Sequence, residues 1–340
     1  MEKTIRLFMV LGAAATLFAA PVAQAATHDD HDMHADPFVV TATNASPNQL
    51  LVYDKSGNLL QTLATGGNGA ASGNAGGVEA QDDMVAVINY ASQSVSIFDR
   101  DHSGYSLAQE FSTLSKPVSV AFDEDHLYVL GATTVESHKI KDSGHVAQNA
   151  DGSAKLFAAD GTAAQVGVVD DQLLITEKSG VVETVKLQDG KVSGSPAMVS
   201  IPAGSDTPLG LVTRDNVGYV TIAHSDEIGL FKNGNLTNIT SSGTQHAPCW
   251  LTLTGSFLYS SNSPSKSISL YKVTNHSISQ QIAVAASLSG APTDISSDDR
   301  NVAVIDGTDL SVFKIADDGS LSLVSSTATG SSVNGVAIVR

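Results

Sequence analysis

The 340-residue sequence has one cysteine and one tryptophan, and its 18 basic residues are outnumbered by 35 acidic ones. A single cysteine excludes a disulfide scaffold, an all-cysteine zinc site and CxxC redox chemistry. The acidic character, a formal net charge of −17, argues against nucleic acids and anionic membranes as partners. The apolar content of 42% is enough for a sizeable core, so we expect a folded chain.

Long hydrophobic runs are also scarce. The longest covers residues 7–20, follows a short charged start and precedes Ala-Gln-Ala at residues 23–25. Fourteen residues are too few to span a bilayer comfortably, whereas this pattern is typical of a secretory signal peptide. We therefore expect residues 1–25 to be removed and the mature protein to be periplasmic or secreted, without a transmembrane segment and monomeric.

A histidine-rich and aspartate-rich segment at residues 26–37 follows, with no apolar periodicity. We expect it to be disordered. One interpretation is a solvated acidic spacer. The alternative is a metal site, because cleavage after Ala25 would put His28 third from a free amine. That arrangement suits square-planar Cu(II) or Ni(II), to which His31 and His34 would add ligands.

From residue 38 onward the sequence repeats, with one strand pattern recurring every 38–47 residues. The seven copies end at a polar or small residue and cover residues 40–44, 85–89, 127–131, 173–177, 220–224, 258–262 and 302–306. A second strand follows after a short polar turn, and a weaker strand with a polar face follows a glycine-bearing hairpin turn. No ten-residue window keeps helical periodicity, so we expect very little helix.

A further strand precedes each copy except the first, and a solitary strand of this type lies at residues 336–339. A ring in which the last strand pairs with the first blade explains both facts. The predicted fold is therefore an all-β, seven-bladed β-propeller of four-stranded antiparallel blades spanning residues 38–340, with an architecture like that of WD40 propellers. Closure also hides sheet edges that would otherwise template aggregation.

The strands Val-Thr-Ala-Thr-Asn at residues 40–44 and Leu-Tyr-Ser-Ser-Asn at residues 258–262 resemble the YVTN-type repeat. With the partner strands that follow them, they also resemble the lactonase-like seven-bladed propellers, which include 6-phosphogluconolactonase-like and carboxymuconate-cyclase-like proteins. The resemblance covers most of residues 38–340. It implies a ligand site at the mouth of the central channel, on the face where outer strands lead into inner strands, but not a particular activity.

Arginine placement weighs against a phosphorylated substrate, which is usually bound by the planar guanidinium group. Four arginines remain after residue 25. Arg214 and Arg300 are predicted in turns on the face opposite the expected site, and none precedes an inner strand. The pattern therefore disfavours 6-phosphogluconolactonase activity.

Polar residues near the starts of six inner strands are candidates for ligand binding, since function concentrates on loops held by a rigid scaffold. They are Asn74, Lys116, Gln165, Asp206, His246 and Asn334. Trp250, placed to stack on a ligand, and His224, at the end of a second strand, are further ligand-binding candidates. Solvation, turn capping and core packing are the structural alternatives.

Two carboxylates, Glu79 and Asp294, are expected in the narrow channel, where their repulsion would raise the pKa of one. They suit acid/base chemistry on a lactone, with His246 as a third catalytic candidate, or a hard cation such as Ca²⁺ or Mg²⁺. The alternative is hydrogen bonding to backbone or channel water. Cys249 falls in an apolar column and is expected to be structural.

Three hypotheses follow. The first is an exported propeller that binds a small ligand or partner protein at the channel mouth without catalysis and requires no cofactor. The second is a lactone hydrolase that uses His246, Glu79 and Asp294. The third is an envelope metal-binding protein that acts through the histidine-rich segment.

Overall fold

The structure is a computed structural model that describes residues 36–71, 75–330 and 333–339. The predicted signal peptide, residues 26–35 of the predicted disordered segment, Asn74, His28, His31 and His34 lie outside these residues. Twenty-eight strands and one turn of 3₁₀ helix, Ala223–Ser225, make up the described secondary structure. Among the described residues, no helix has the length and apolar character needed to cross a bilayer.

The strands fall into seven four-stranded antiparallel sheets, which we number as blades. Blades 1 to 3 contain β1 (Val39–Ala42), β2 (Gln49–Tyr53), β3 (Leu59–Ala64); β4 (Val78–Gln81), β5 (Met84–Asn89), β6 (Ser94–Asp101), β7 (Gly104–Ser112); and β8 (Pro117–Asp123), β9 (His126–Gly131), β10 (Thr134–Lys139), β11 (Gly152–Lys155). Blades 4 and 5 contain β12 (Ala163–Val169), β13 (Gln172–Glu177), β14 (Val181–Gln188), β15 (Lys191–Val199); and β16 (Pro208–Arg214), β17 (Val217–Ile222), β18 (Glu227–Lys232), β19 (Asn235–Ser241). Blades 6 and 7 contain β20 (Pro248–Thr254), β21 (Phe257–Asn262), β22 (Ser267–Thr274), β23 (Ser277–Ser287); and β24 (Pro292–Ser297), β25 (Asn301–Asp306), β26 (Asp309–Ile315), β27 (Leu321–Ala328). The last strand, β28 (Asn334–Ile338), belongs to blade 1.

The ring is closed by β28, which pairs antiparallel with β1 and becomes the inner strand of blade 1. Val39 lies opposite Ile338, and Val40 lies opposite Ala337. The seven inner strands contact one another in the cyclic order β28, β4, β8, β12, β16, β20, β24 and back to β28. This confirms the predicted propeller and its closure by the C-terminal strand.

Burial follows from the position of a strand within its blade. The second strand of each blade is enclosed on both faces by neighbouring blades, so its sequence reads as a continuous apolar run; all six residues of β5 are buried. The outermost strands alternate exposed and partly buried residues because only one face is covered, as in β27. The repeated apolar pattern therefore comes from packing between blades.

Tyrosines on second strands connect neighbouring blades. The Tyr128 hydroxyl donates to the Gly190 carbonyl at 2.8 Å, and the Tyr259 hydroxyl donates to the Gly319 carbonyl at the same distance. Both acceptors lie in hairpin turns of the next blade. Gly190 has φ +74°, and a Cβ there would collide with the buried ring of His126, so this contact requires glycine.

Candidate functional site

A cavity of about 430 Å³ lies on the face of the propeller where the inner strands begin. Its walls come from the starts of four inner strands, the ends of two second strands and the connection before blade 2. The described lining residues are Asn44, Ala71, Leu209, Cys249, Trp250, Ser263, Pro292, Thr293, Val333 and Asn334. Two predicted ligand-binding residues, Trp250 and Asn334, are thus brought together.

The described lining of this mouth cavity combines apolar surface with uncharged polar groups. Trp250 is 3% exposed and belongs to the same apolar cluster as Leu209. The buried Thr293 hydroxyl has no hydrogen-bond partner among the described residues. Asn44 exchanges two hydrogen bonds with the Ala71 backbone, of 2.6 and 2.8 Å, and so fixes the connection that forms one wall. The cavity wall is therefore held in place by the fold.

Cys249 contributes a thiol that is poorly suited to nucleophilic attack. Its Sγ donates to the Ala247 carbonyl at 3.2 Å, and burial raises its pKa. Because the thiolate is the reactive form, a raised pKa keeps the group inert near neutral pH.

Two carboxyl groups approach each other deeper in the molecule, near Gly76. Asp294 is 3% exposed, and its carboxylate accepts backbone N–H groups of Ile295, Val336 and Gly76 at 2.8, 3.0 and 3.3 Å. These donors come from blade 7, blade 1 and the segment that leads into blade 2. The Asp294 carboxylate thereby provides a hydrogen-bond acceptor for backbone N–H groups at the channel side of the inner strands, where no further strand is present to pair with them.

Glu79 has a different environment. No described residue donates a hydrogen bond to its carboxyl group; burial, followed by the negative charge of Asp294, raises its pKa to about 8. Burial also raises the pKa of Asp294 to about 7, although its three amide donors oppose the shift. Near neutral pH the two groups cannot both be fully ionised, and the hydrogen bonds favour the charge on Asp294 and the proton on Glu79.

Gly76 leaves the space in which these groups converge. A Cβ on this residue would lie 2.7 Å from Ser119 Oγ, 3.4 Å from Gln165 Nε2 and 3.5 Å from Glu79 Oε1. Gln165 was predicted to lie on a connection, but it lies within β12, and its Oε1 accepts the Leu211 N–H at 2.7 Å. Gln165 therefore belongs to the channel interior, because β12 starts earlier than predicted.

The carboxyl pair also bears on the predicted Ca²⁺ or Mg²⁺ site in the channel. Within residues 36–71, 75–330 and 333–339, no three His, Cys, Asp or Glu side chains are grouped so as to hold a metal ion. Glu79 and Asp294 together supply two carboxyl groups to such a site. The carboxylate of Asp294 already accepts three backbone N–H groups.

The remaining predicted residues lie on the rim. His246 is 69% exposed, and its Nδ1 is 2.8 Å from Asp226 Oδ2. His224 Nδ1 is 3.3 Å from Asp206 Oδ2, with both side chains more than 60% exposed. The Lys116 ammonium lies 5.2 Å from the centre of a tyrosine ring. None of these predicted residues is among the described lining of the mouth cavity, so the predicted ring of candidates divides into cavity, channel and rim groups.

Residues 216–337 match the family described as "Lactonase, 7-bladed beta-propeller". The chain is a seven-bladed β-propeller that resembles this lactonase family over residues 216–337. No curated protein matches its sequence significantly.

Solved structures share the fold of this lactonase-like propeller at low sequence identity. A candidate 6-phosphogluconolactonase of Bacteroides fragilis is 13% identical with a TM-score of 0.69, and the match covers 92% of this chain and all of that one. The periplasmic gluconolactonase of Pseudomonas aeruginosa is 17% identical with a TM-score of 0.66, covering 89% and 99%. The virginiamycin B lyase of Staphylococcus aureus is 14% identical with a TM-score of 0.57, covering 76% and 85%. Such distant likeness establishes the fold alone.

Most residues of the cavity lining were not predicted from the sequence, although one repeated feature points to their location. Four inner strands begin with proline: Pro117, Pro208, Pro248 and Pro292. Proline has no N–H to donate, so it is tolerated at the start of a strand whose inner edge is unpaired. These prolines mark the level of the channel mouth in the sequence.

Proposed function

We propose that the lactonase-like propeller binds an uncharged small molecule in the mouth cavity. The observation that carries the proposal is a volume of about 430 Å³ whose described lining has an indole, apolar side chains, amides and hydroxyls but no charged group. A cavity of this size, mostly apolar with a few fixed polar groups, is typical of a small-molecule site. A neutral cyclic ester or sugar-like compound fits this lining.

The positions of the basic residues support a neutral ligand. Among the described residues, no lysine, arginine or histidine lines the mouth cavity. Arg214 ends β16, and Arg300 lies between β24 and β25, so both are at the opposite ends of their inner strands. A phosphate group in the cavity would therefore lack a cationic partner.

Trp250, the only tryptophan, gives a direct binding assay because its ring forms part of the cavity wall. We expect neutral lactones or sugars to change its fluorescence and their phosphorylated counterparts to have no effect. Thr293→Val, which removes the unpartnered hydroxyl, should weaken binding about five- to tenfold, in line with one lost hydrogen bond. Thr62→Val on the exposed outer strand β3 is the matched control. Tighter binding of the phosphorylated compounds, or no binding of either class, would contradict the proposal.

The second candidate function is hydrolysis of a lactone in the channel, and the unequal carboxyl pair favours it. Asp294, whose charge is stabilised by amides, would remove a proton from water as its oxygen attacks the carbonyl carbon. Glu79, whose pKa is raised, would protonate the ring oxygen as the C–O bond breaks, giving the hydroxy acid. Lactone hydrolysis measured by pH-stat tests this: Glu79→Gln should lower kcat at least about 100-fold. Unchanged turnover in this variant would leave binding as the function.

We further propose that the chain is exported, on the strength of residues 1–25 alone. Sequencing the N-terminus of the mature protein tests this, and we expect it to begin at Ala26. Copper titration of that protein, with residues 26–36 deleted as a control, tests the predicted metal site at His28, His31 and His34.

A further inference from the structure

Blade 4 differs from other blades at two equivalent positions. In blades 2 and 6 the second strand ends in asparagine, and its side-chain amide donates to serines of the third strand. Asn89 Nδ2 is 2.7 Å from Ser96 Oγ, and Asn262 Nδ2 is 2.8 Å from Ser269 Oγ. The strand registers put Glu177 at the asparagine position and Glu183 at the serine position. Blade 4 therefore has two carboxyl groups where blades 2 and 6 have an amide and a hydroxyl.

Both glutamates are completely buried. Neither oxygen of Glu177 and only one oxygen of Glu183 has a hydrogen-bond partner among the described residues. The Ala158 amide lies near the Glu177 carboxyl, outside hydrogen-bond geometry. Two adjacent buried carboxyl groups with so few donors cannot both remain ionised without a large loss of solvation.

The charged surroundings do not relieve this problem. Burial raises the pKa of each glutamate to about 7; the charge of Asp160 adds to the shift at Glu177, and that of Glu177 adds to the shift at Glu183. Lys178 follows Glu177 in the turn after β13, and burial lowers the pKa of its ammonium group. Among the described residues, the charge that acts on the pair from outside is therefore that of a further acid, Asp160, and the pair binds a proton more tightly than an exposed glutamate does.

The pair also holds the connection that enters blade 4 from blade 3. The remaining Glu183 oxygen accepts the Phe157 N–H at 2.7 Å, and Phe157 itself is 58% exposed. Blade 3 has a comparable contact without a second acid: Glu136 accepts the Leu114 N–H at 3.1 Å. There His138 Nε2 lies 3.5 Å from Glu136, and glycine occupies the position of Glu177.

We propose that Glu177 and Glu183 form a proton-dependent latch that holds the connection between β11 and β12. With a proton on the pair, the negative charge on Glu183 is tolerated and Phe157 stays bound. When the proton is lost, the two buried charges repel each other, and hydration of the carboxylates favours the open connection. The latch is closed in acid and loosens as the pH approaches neutrality.

Hydrogen exchange of the Phe157 amide in the full-length protein tests the latch, with the Leu114 amide as internal reference for the intrinsic pH dependence of exchange. In the open connection we expect the glutamates to titrate at ordinary values. If the pair releases one proton when the connection opens, the population of the open connection rises about tenfold per pH unit. The rise ends at the pH where the pair loses its proton in the closed connection as well. Protection of Phe157 relative to Leu114 should therefore fall roughly 100-fold between about pH 5 and pH 7 and then level off.

Three variants separate the latch from a simple structural role. Glu177→Asn, which restores the residue found in blades 2 and 6, and Glu177→Gln should keep Phe157 protected and abolish the pH dependence. Glu183→Ala should lose protection of Phe157 at every pH, with Leu114 unchanged as proof of folding. The proposal fails if wild-type Phe157 and Leu114 show the same pH dependence, or if Glu177→Gln retains it. Recovery of protection with Ca²⁺ at pH 8 would overturn it in favour of a cation site.

Discussion

Replacing Glu79 with glutamine should remove a measurable part of the pH dependence of stability. The pKa of Glu79 is raised from 4.5 to about 8 by burial and by Asp294. Between these values the folded protein binds a proton that the unfolded chain has released. The free energy of unfolding therefore falls as the pH rises from about 5 to about 8, and the stabilisation is complete only below about pH 4.5.

The magnitude follows from the width of that window. Each pH unit within it lowers the free energy of unfolding by about 1.4 kcal/mol, so three units give roughly 4 kcal/mol. Glu79 keeps some contact with solvent, and we therefore expect about 2–4 kcal/mol. Glutamine has nearly the same size and does not ionise, so the variant lacks this contribution.

Urea unfolding followed by Trp250 fluorescence at pH 5, 6, 7 and 8 measures the effect. The stability of Glu79→Gln relative to wild type should rise by about 2–4 kcal/mol across the series. Glu124→Gln, at an exposed turn residue, should parallel the wild type. A stability difference between Glu79→Gln and wild type that stays constant within about 0.5 kcal/mol would show that Glu79 is ionised in the folded protein and would refute this description of the channel.

Three further predictions concern ring closure, a buried network and the thiol. Val336→Ala should lower the free energy of unfolding by about 2 kcal/mol in urea melts, because Val336 is 3% exposed in the closing strand; a loss below about 0.5 kcal/mol would contradict its role. Asn262→Ala should cost about 1–3 kcal/mol because the buried Ser260 hydroxyl loses its acceptor and Ser267 and Ser269 lose a donor, whereas Asn275→Ala at an exposed turn should be neutral. Cys249 should react with iodoacetamide at least about tenfold more slowly than free cysteine in mass-spectrometric time courses, and equal rates would contradict the raised pKa of this half-buried thiol.

The blades were predictable because each enclosed strand leaves the same short apolar run at a regular period. Ring closure was predictable from the unpaired pattern at residues 336–339, which matched the strand missing before residue 38. These features depend on local composition and on the spacing between strands, both of which can be read directly from one sequence.

The site was less predictable because it depends on distances between blades. Thr293 and Ser263 are small polar residues like many others, and only the assembled ring puts them in one cavity. Gln165 was misplaced because β12 begins at Ala163, before the apolar alternation that marks this strand in the sequence. Glu177 ends the predicted strand at residues 173–177, but its proximity to Glu183 follows only from the register of β13 and β14.

The hydrogen bond from the Val339 amide to the Phe38 carbonyl, 2.9 Å long, brings the two ends of the ring together. A short glycine-rich linker between these residues would make the circle covalent, and new termini could then be opened in an exposed connection elsewhere. Such circular permutants should fold when the cut lies between blades. They would move the non-covalent seam away from Asp294, so that its contribution to the channel can be measured apart from its contribution to closing the ring.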